Sequence, residues 1–270
     1  MRRVIVIVLT LSLILSLAAC SCTPGTDGSK TTGNNGTASA STTKTAGTRL
    51  PKAEAVLKGK IVELYDKALL LAGTGASDLY TISNTLDVYD ADNKITDLSA
   101  LKAGQNVEIG YSGVIMESYP AQPGSPIYVK IVEQGDDMVG FYQTVLNDLW
   151  NVDKGLNSDI NTLAFDLSKV TNLSDSEKSA LVYVVGNSHN VHGIKGTFDE
   201  LSEQGYIDKD KLFFKNGILF TIELSDVTEN SFMFDVKKWR SGDGAYYFID
   251  CKAVRSDNGW SYTIGSEAIS

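Results

Sequence analysis

Hydrophobic and polar positions divide the chain into four stretches of different character. Behind Met1-Arg2-Arg3 lies an apolar run from Val4 to Leu17, closed by small residues. Residues 21–50 are Ser, Thr, Gly, Asn and Ala with almost no large apolar side chain. From Val56 the pattern turns to short runs of β-type residues. Asp78-Leu79-Tyr80-Thr81-Ile82-Ser83 alternates cleanly, the period-two mark of a half-buried strand. From Met138 the spacing changes again. Met138, Phe141, Tyr142, Val145, Leu146, Leu149 and Trp150 recur at three- and four-residue intervals, which predicts an amphipathic helix over 137–151.

Between 51 and 135 the expected strands are 56–64 (interrupted by Gly59), 68–72, 78–83, 86–90, 106–111 and 127–132, with a short helical insert before Gly104. Five or six short strands with one such insert predict an all-β, small closed barrel of the OB type. Beyond the first helix, Leu156, Ile160, Leu163, Phe165 and Leu167 read as a less regular continuation. Ser174 followed by Glu177 forms a capping box, and a helix burying Ala180, Leu181, Val184 and Val185 follows, weakening near Gly186. Thr197-Phe198-Asp199-Glu200 repeats the signature and opens a short helix to Gly205. Four runs at 217–224, 231–239, 244–254 and 259–265 then read as strands, with Asp257-Asn258-Gly259 as a hairpin turn. Residues 136–270 are therefore expected to be α+β, helices packed on a four-stranded antiparallel sheet. The likeness to cystatin-like and nuclear-transport-factor-like cones is architectural.

The N-terminal pattern describes a secretory signal over residues 1–19. An uncleaved anchor is the alternative, but only about 16 apolar or small residues follow Arg3 where a span needs about 20. The stretch 20–50 cannot bury enough surface to offset its ordering entropy and reads as a flexible tether with a mean reach of about 30 Å. Removing 19 of the 270 residues leaves more chain than one core usually needs, so two domains, 51–135 and 136–270, are expected. The formal charge is −9, and it falls to −11 once the signal, with Arg2 and Arg3 and no acid, is removed. This balance argues against nucleic acid, which requires a basic face, and against electrostatic docking on anionic lipid.

Leu17-Ala18-Ala19-Cys20 resembles the lipobox of bacterial lipoproteins. That resemblance implies a diacylglycerol thioether on Cys20, and anchorage on the outer face of the cytoplasmic membrane of a Gram-positive cell. Ala19-Cys20-Ser21 before Cys22 is a poorer lipobox. Gly113-Val114-Ile115-Met116-Glu117-Ser118-Tyr119-Pro120-Ala121-Gln122, with Leu101-Lys102-Ala103-Gly104-Gln105-Asn106-Val107 before it, is similar to an OB-like domain common in Gram-positive lipoproteins. The family implies an exported β-barrel module and no catalytic residue. Read from the residues alone, Pro120 holds Tyr119 extended so that its ring plugs the barrel end. The functional alternative has Glu117, Tyr119 and Gln122 lining a binding face.

No catalytic set converges. His189 and His192, the only histidines, could place two metal ligands on one helix face, but a third ligand is missing nearby. Asp90-Ala91-Asp92-Asn93 opens like a calcium loop without its glycine or final glutamate and reads better as a turn. Cys251, in an apolar run, reads as a buried inert thiol; a bridge to Cys22 would tie a tether to a folded domain. The loop at 239–246 could set Trp239, Arg240 and Tyr246 around a concave pocket, or Trp239 and Tyr246 could simply pair across a hairpin. The expected function is a non-catalytic binding module without metal or cofactor, contacting another envelope protein or a small ligand. The alternative is a ligand or enzymatic pocket in the C-terminal domain, with Glu223, Asp235 or Tyr247 pointing inward.

Overall fold

The structure, a computed structural model, describes residues 49–270. The expected signal, Cys20, Cys22 and the expected tether up to Thr48 lie outside the described residues. The first half supplies β1 (Ala55–Leu64), β2 (Ala68–Gly73), β3 (Leu79–Ser83), β4 (Asp87–Tyr89), β5 (Ile95–Thr96), β6 (Asn106–Tyr111), β7 (Ile115–Met116), β8 (Gln122–Pro123) and β9 (Tyr128–Glu133). Seven of these form one sheet in the order β3-β2-β1-β6-β9-β4-β5. The strands β3 and β4, near its two ends, are consecutive in the chain, so the sheet curls over Leu57, Ile61, Leu69, Leu71, Ile82, Val107, Ile109 and Val129. Where a closed small barrel was expected, the sheet forms a half-barrel, and β7 and β8 stand apart as a hairpin.

The second half begins with α1 (Met138–Asn151), capped by the Asp137 carboxylate on the Gly140 amide. It continues with β10 (Thr162–Lys169), α2 (Asp175–Ser188), β11 (His192–Lys195), α3 (Phe198–Glu203), β12 (Gly217–Ser225), β13 (Ser231–Ser241), β14 (Gly244–Ser256), β15 (Gly259–Thr263) and β16 (Ser266–Ile269). Both expected capping boxes form, Ser174 with Glu177 and Thr197 with Glu200.

The α+β expectation is overturned. Strand makes up 45% and helix 18% of the described residues. The second sheet is mixed: β10 runs parallel to both β11 and β12, and β12 to β16 are antiparallel. Three strands of this second sheet escaped the sequence reading. Leu163, Phe165 and Leu167 alternate at period two, but Ala164 is buried as well, so β10 carries the continuous apolar run of a strand covered on both faces. His192–Lys195 is short enough to pass for a helix end. Ser266–Ile269 has one large apolar residue, and that residue is exposed. Gly186 lies in the last turn of α2, as the sequence indicated, and its carbonyl accepts the Val191 amide at 2.9 Å. A side chain there would meet the Val191 carbonyl at 2.9 Å, and one at Gly193 would meet the Val182 carbonyl at 2.6 Å, so this glycine pair lets α2 lie directly on β11.

The core crosses from one half of the chain to the other. β2 is buried on both faces: Leu69 and Leu71 enter the half-barrel, and Leu70 and Ala72 join Val62 and Leu79 in the cluster that contains α1 and α2. α2 is buried on several sides, touching α1, β10 and β11 as well as β2 and β3. Polar ties follow the same seam. Lys60 in β1 donates to Glu177 at 2.6 Å, the Ser179 hydroxyl donates to Asp78 at 2.8 Å, and Arg255 in β14 pairs with Asp136 at 2.8 Å.

Glu177 is buried, yet it also accepts from the Ser174 amide and hydroxyl. Burial acts to raise its pKa, but the bonds from Lys60 and Ser174 outweigh it and hold the carboxyl below the usual glutamate range. Removing one member of a buried pair is expensive, so Glu177→Ala is expected to lower unfolding free energy by about 3 kcal/mol. The depressed pKa has a definite sign. The stability it confers is full above the unfolded-state value and is lost as pH falls through the lower, folded value. Urea unfolding across pH 3–6 checks both points, and Glu177→Gln should flatten this part of the profile.

Candidate functional site

The residues Glu117, Tyr119 and Gln122 share the β7–β8 hairpin, in which Met116 pairs with Gln122 and Ile115 with Pro123. The hairpin is held down by Ala121, whose carbonyl accepts the Thr81 amide at 2.9 Å and whose amide donates to Leu79 at 3.0 Å. Pro120 and Ala121 are buried by this attachment, and Glu117, Tyr119 and Gln122 stay exposed. Tyr119 does not plug the barrel end. It is 64% exposed, and its ring meets that of Tyr183 on α2 edge-to-face at 5.9 Å and 82°. The tyrosine inside the half-barrel core is Tyr80, 1% exposed, whose hydroxyl accepts the Ser77 amide.

Tyr65, just beyond β1, lies close enough to Tyr183 for the two phenols to interact electrostatically. Burial raises the Tyr65 phenol pKa, reinforced by its hydrogen bond to Glu63 and by Tyr183. Burial likewise raises Tyr119, followed by the charge of Asp78 and by Tyr183. Both phenols therefore stay protonated at neutral pH; Tyr65 donates its one proton to Glu63, which leaves the Tyr119 hydroxyl as the donor open to a partner. Beneath them the Lys195 ammonium donates to the Ser179 hydroxyl at 2.8 Å, which donates to Asp78. Ser179 and Tyr183 are one turn apart on α2, so one helix places both the polar base and the aromatic brace. Val114 and Met116 extend the face with exposed apolar surface. The arrangement can grip a partner through rigid rings with polar tips. The one hydroxyl in it bonded to both a lysine and a carboxylate, Ser179, is buried.

The second predicted group, Trp239, Arg240 and Tyr246, does not assemble around a pocket. Trp239 is 7% exposed and packs edge-to-face on Phe198 at 5.2 Å. Arg240 donates to the carbonyls of Leu156, Ser158 and Lys215. The Tyr246 hydroxyl donates to Glu267, and in register Tyr246 faces Lys238, with Trp239 facing Ala245. The helix-facing side of this sheet is filled by Phe165, Phe220, Phe232, Phe234 and Phe248. Glu223 is bound to Lys169, the exposed Asp235 accepts the Asp250 amide, and Tyr247 packs with the opposite-face cluster, so none of the three points into that interior.

Lys238 escaped the sequence reading. It is fully buried, and its ammonium donates to the carbonyls of Val152 and Asp153 and to Asn157 Oδ1. Burial lowers its pKa to about 8 against the opposing charge of Asp153. With Arg240, two residues on, it pins the loop between α1 and β10. The only sequence signal was a lysine in phase with Phe232, Phe234 and Val236, the alternating apolar positions of β13.

His189 stacks on Trp150 at 4.1 Å and shares a hydrogen bond with Asn147, whereas His192 opens β11, so the two histidines lie on different elements. Asp90 accepts the Lys94 amide and closes a turn. Among the described residues no group of three His, Cys, Asp or Glu side chains is placed to hold a metal ion. No described helix is long and apolar enough to cross a membrane. Comparison of the chain with family models, with curated proteins and with solved structures gives no match.

Two measurements check this description. Lys238→Ala strands buried carbonyls and should cost about 3 kcal/mol in denaturant unfolding. The Cys251 thiol is 0% exposed, and burial raises its pKa to about 11, so in a Cys20→Ser/Cys22→Ser chain a thiol reagent should modify it only after unfolding.

Proposed function

We propose that this chain is a lipid-anchored protein of the Gram-positive cell envelope that works as a non-catalytic interaction module. In this reading Cys20 carries the lipid, the stretch to residue 50 is the tether, and the tyrosine face docks another envelope protein. The observation that supports the docking face is Tyr119, exposed yet braced by Tyr183 and fixed through Ala121 to β3. Rigid aromatic side chains lose little conformational entropy on binding and are enriched among residues that dominate interface energetics. The anchor rests on the ordered sequence of Arg2-Arg3, apolar run and Leu17–Cys20. Acyl chains contribute about 0.8 kcal/mol per buried methylene, enough for two or three chains to hold a soluble domain on a bilayer.

A photo-crosslinking amino acid at position 119, in intact cells, is expected to trap one envelope protein. The same probe at the exposed Ile95 should trap none, and Tyr183→Ala should cut the yield at least tenfold. Equal labelling from both positions contradicts a docking face at Tyr119. Separately, Cys20→Ser is expected to move the protein from the membrane fraction to the medium; retention on the membrane would refute the lipid anchor.

A further inference from the structure

Independently of the docking reading, the sheet face opposite α1 and α2 carries a small groove. Its floor is Leu219 and Thr221 of β12 with Lys237 and Trp239 of β13. Its walls are Phe198 at the start of α3 and Leu212 in the following loop, and its volume is about 290 Å³. Register explains the floor. Leu219 pairs with Trp239 and Thr221 with Lys237, so two adjacent cross-strand pairs present an apolar row beside a polar one. The walls are fixed. Phe198 packs on Trp239 at 5.2 Å, and the Leu212 carbonyl accepts the Gly242 amide at 2.9 Å.

The polar row has an unmatched charge. Among the described residues no carboxylate lies within salt-bridge distance of Lys237; its ammonium rests over the Tyr247 ring, 5.1 Å from the centroid. The acidic groups on the same face are engaged elsewhere. Asp166 accepts from Ser168, Glu223 pairs with Lys169, and Asp235 accepts the Asp250 amide. A groove with apolar walls, one free cation and one hydroxyl matches a ligand with an apolar body and a single negative end. Its volume, at the small end of ligand pockets, restricts that body to fragment size.

We propose that this groove binds a small carboxylate with an apolar or aromatic body, the carboxylate on Lys237 and Thr221 and the body between Phe198, Leu212 and Trp239. The chain itself is acidic, so an anion gains nothing from its overall field and must be held by this local cation.

Titration calorimetry of the full chain with 3-phenylpropionate tests the assignment. Saturable one-to-one binding is expected, at least tenfold weaker for 3-phenylpropionamide and for acetate. Lys237→Met should weaken carboxylate binding at least tenfold while leaving the amide unchanged, and Lys237→Arg should restore most of it. The unfolding midpoint of each variant verifies that the fold is intact, and Thr221→Val supplies a second variant should Lys237→Met fail to fold. No saturable heat up to 10 mM ligand overturns the proposal, as does equal affinity for acid and amide or indifference to Lys237→Met.

Discussion

One helix, α2, has to be buried on more than one side, and the rest of the structure is arranged to make that possible. Its apolar residues face α1 and the second sheet as well as β2 and β3, and Ser179 and Glu177 reach the first sheet with polar groups. The strand that receives it, β2, is in turn covered on both faces. Neither element satisfies its apolar surface inside one half of the chain. This mutual requirement joins a curled sheet and a mixed sheet through a shared core, and the described residues, 49–270, cluster as one unit. The charge of Glu177 is tolerable at the seam because three donors, two of them from its own cap residue, face it.

The same helix links fold to candidate site. Ser179 sits in the polar base and Tyr183 braces Tyr119, so the exposed face inherits the rigidity of the core. At the far end of the second sheet, Lys238 and Arg240 put their charge into backbone carbonyls of the loop after α1. Those cations are structural. Lys237, one residue away on the opposite face, lacks any such partner among the described residues, and the alternation of a single strand thus separates a buried anchor from a free charge.

The elements with local signals were legible in the sequence. α1 follows from its apolar spacing, and α2 and α3 start where Ser174 and Thr197 place their capping boxes. What failed was local signal masked by tertiary context. β10 lost its alternation because both faces are buried, β11 is four residues long, and β16 is edge surface. The candidate site was half legible. Glu117, Tyr119 and Gln122 stand together on a hairpin, but Tyr183 was hidden in a helix read only for its buried face. Trp239, Arg240 and Tyr246 misled because their neighbours in sequence point to opposite faces of the sheet. Their types suit a binding site, yet hydrogen bonding commits Arg240 and Tyr246 to the fold, and only Trp239 keeps an edge on a groove.

The central claim is that α2 and β2 fuse the two halves of the chain into one cooperative structure. Hydrogen exchange of the backbone amides under native conditions measures this directly. The account predicts that amides of β2, α2 and β12 share the same slow exchange and the same response to low denaturant, opening only with the whole molecule. Exchange of the β1–β9 amides at a lower free energy than those of β12 to β14, with separate denaturant dependence, would show two independently folding halves and contradict it.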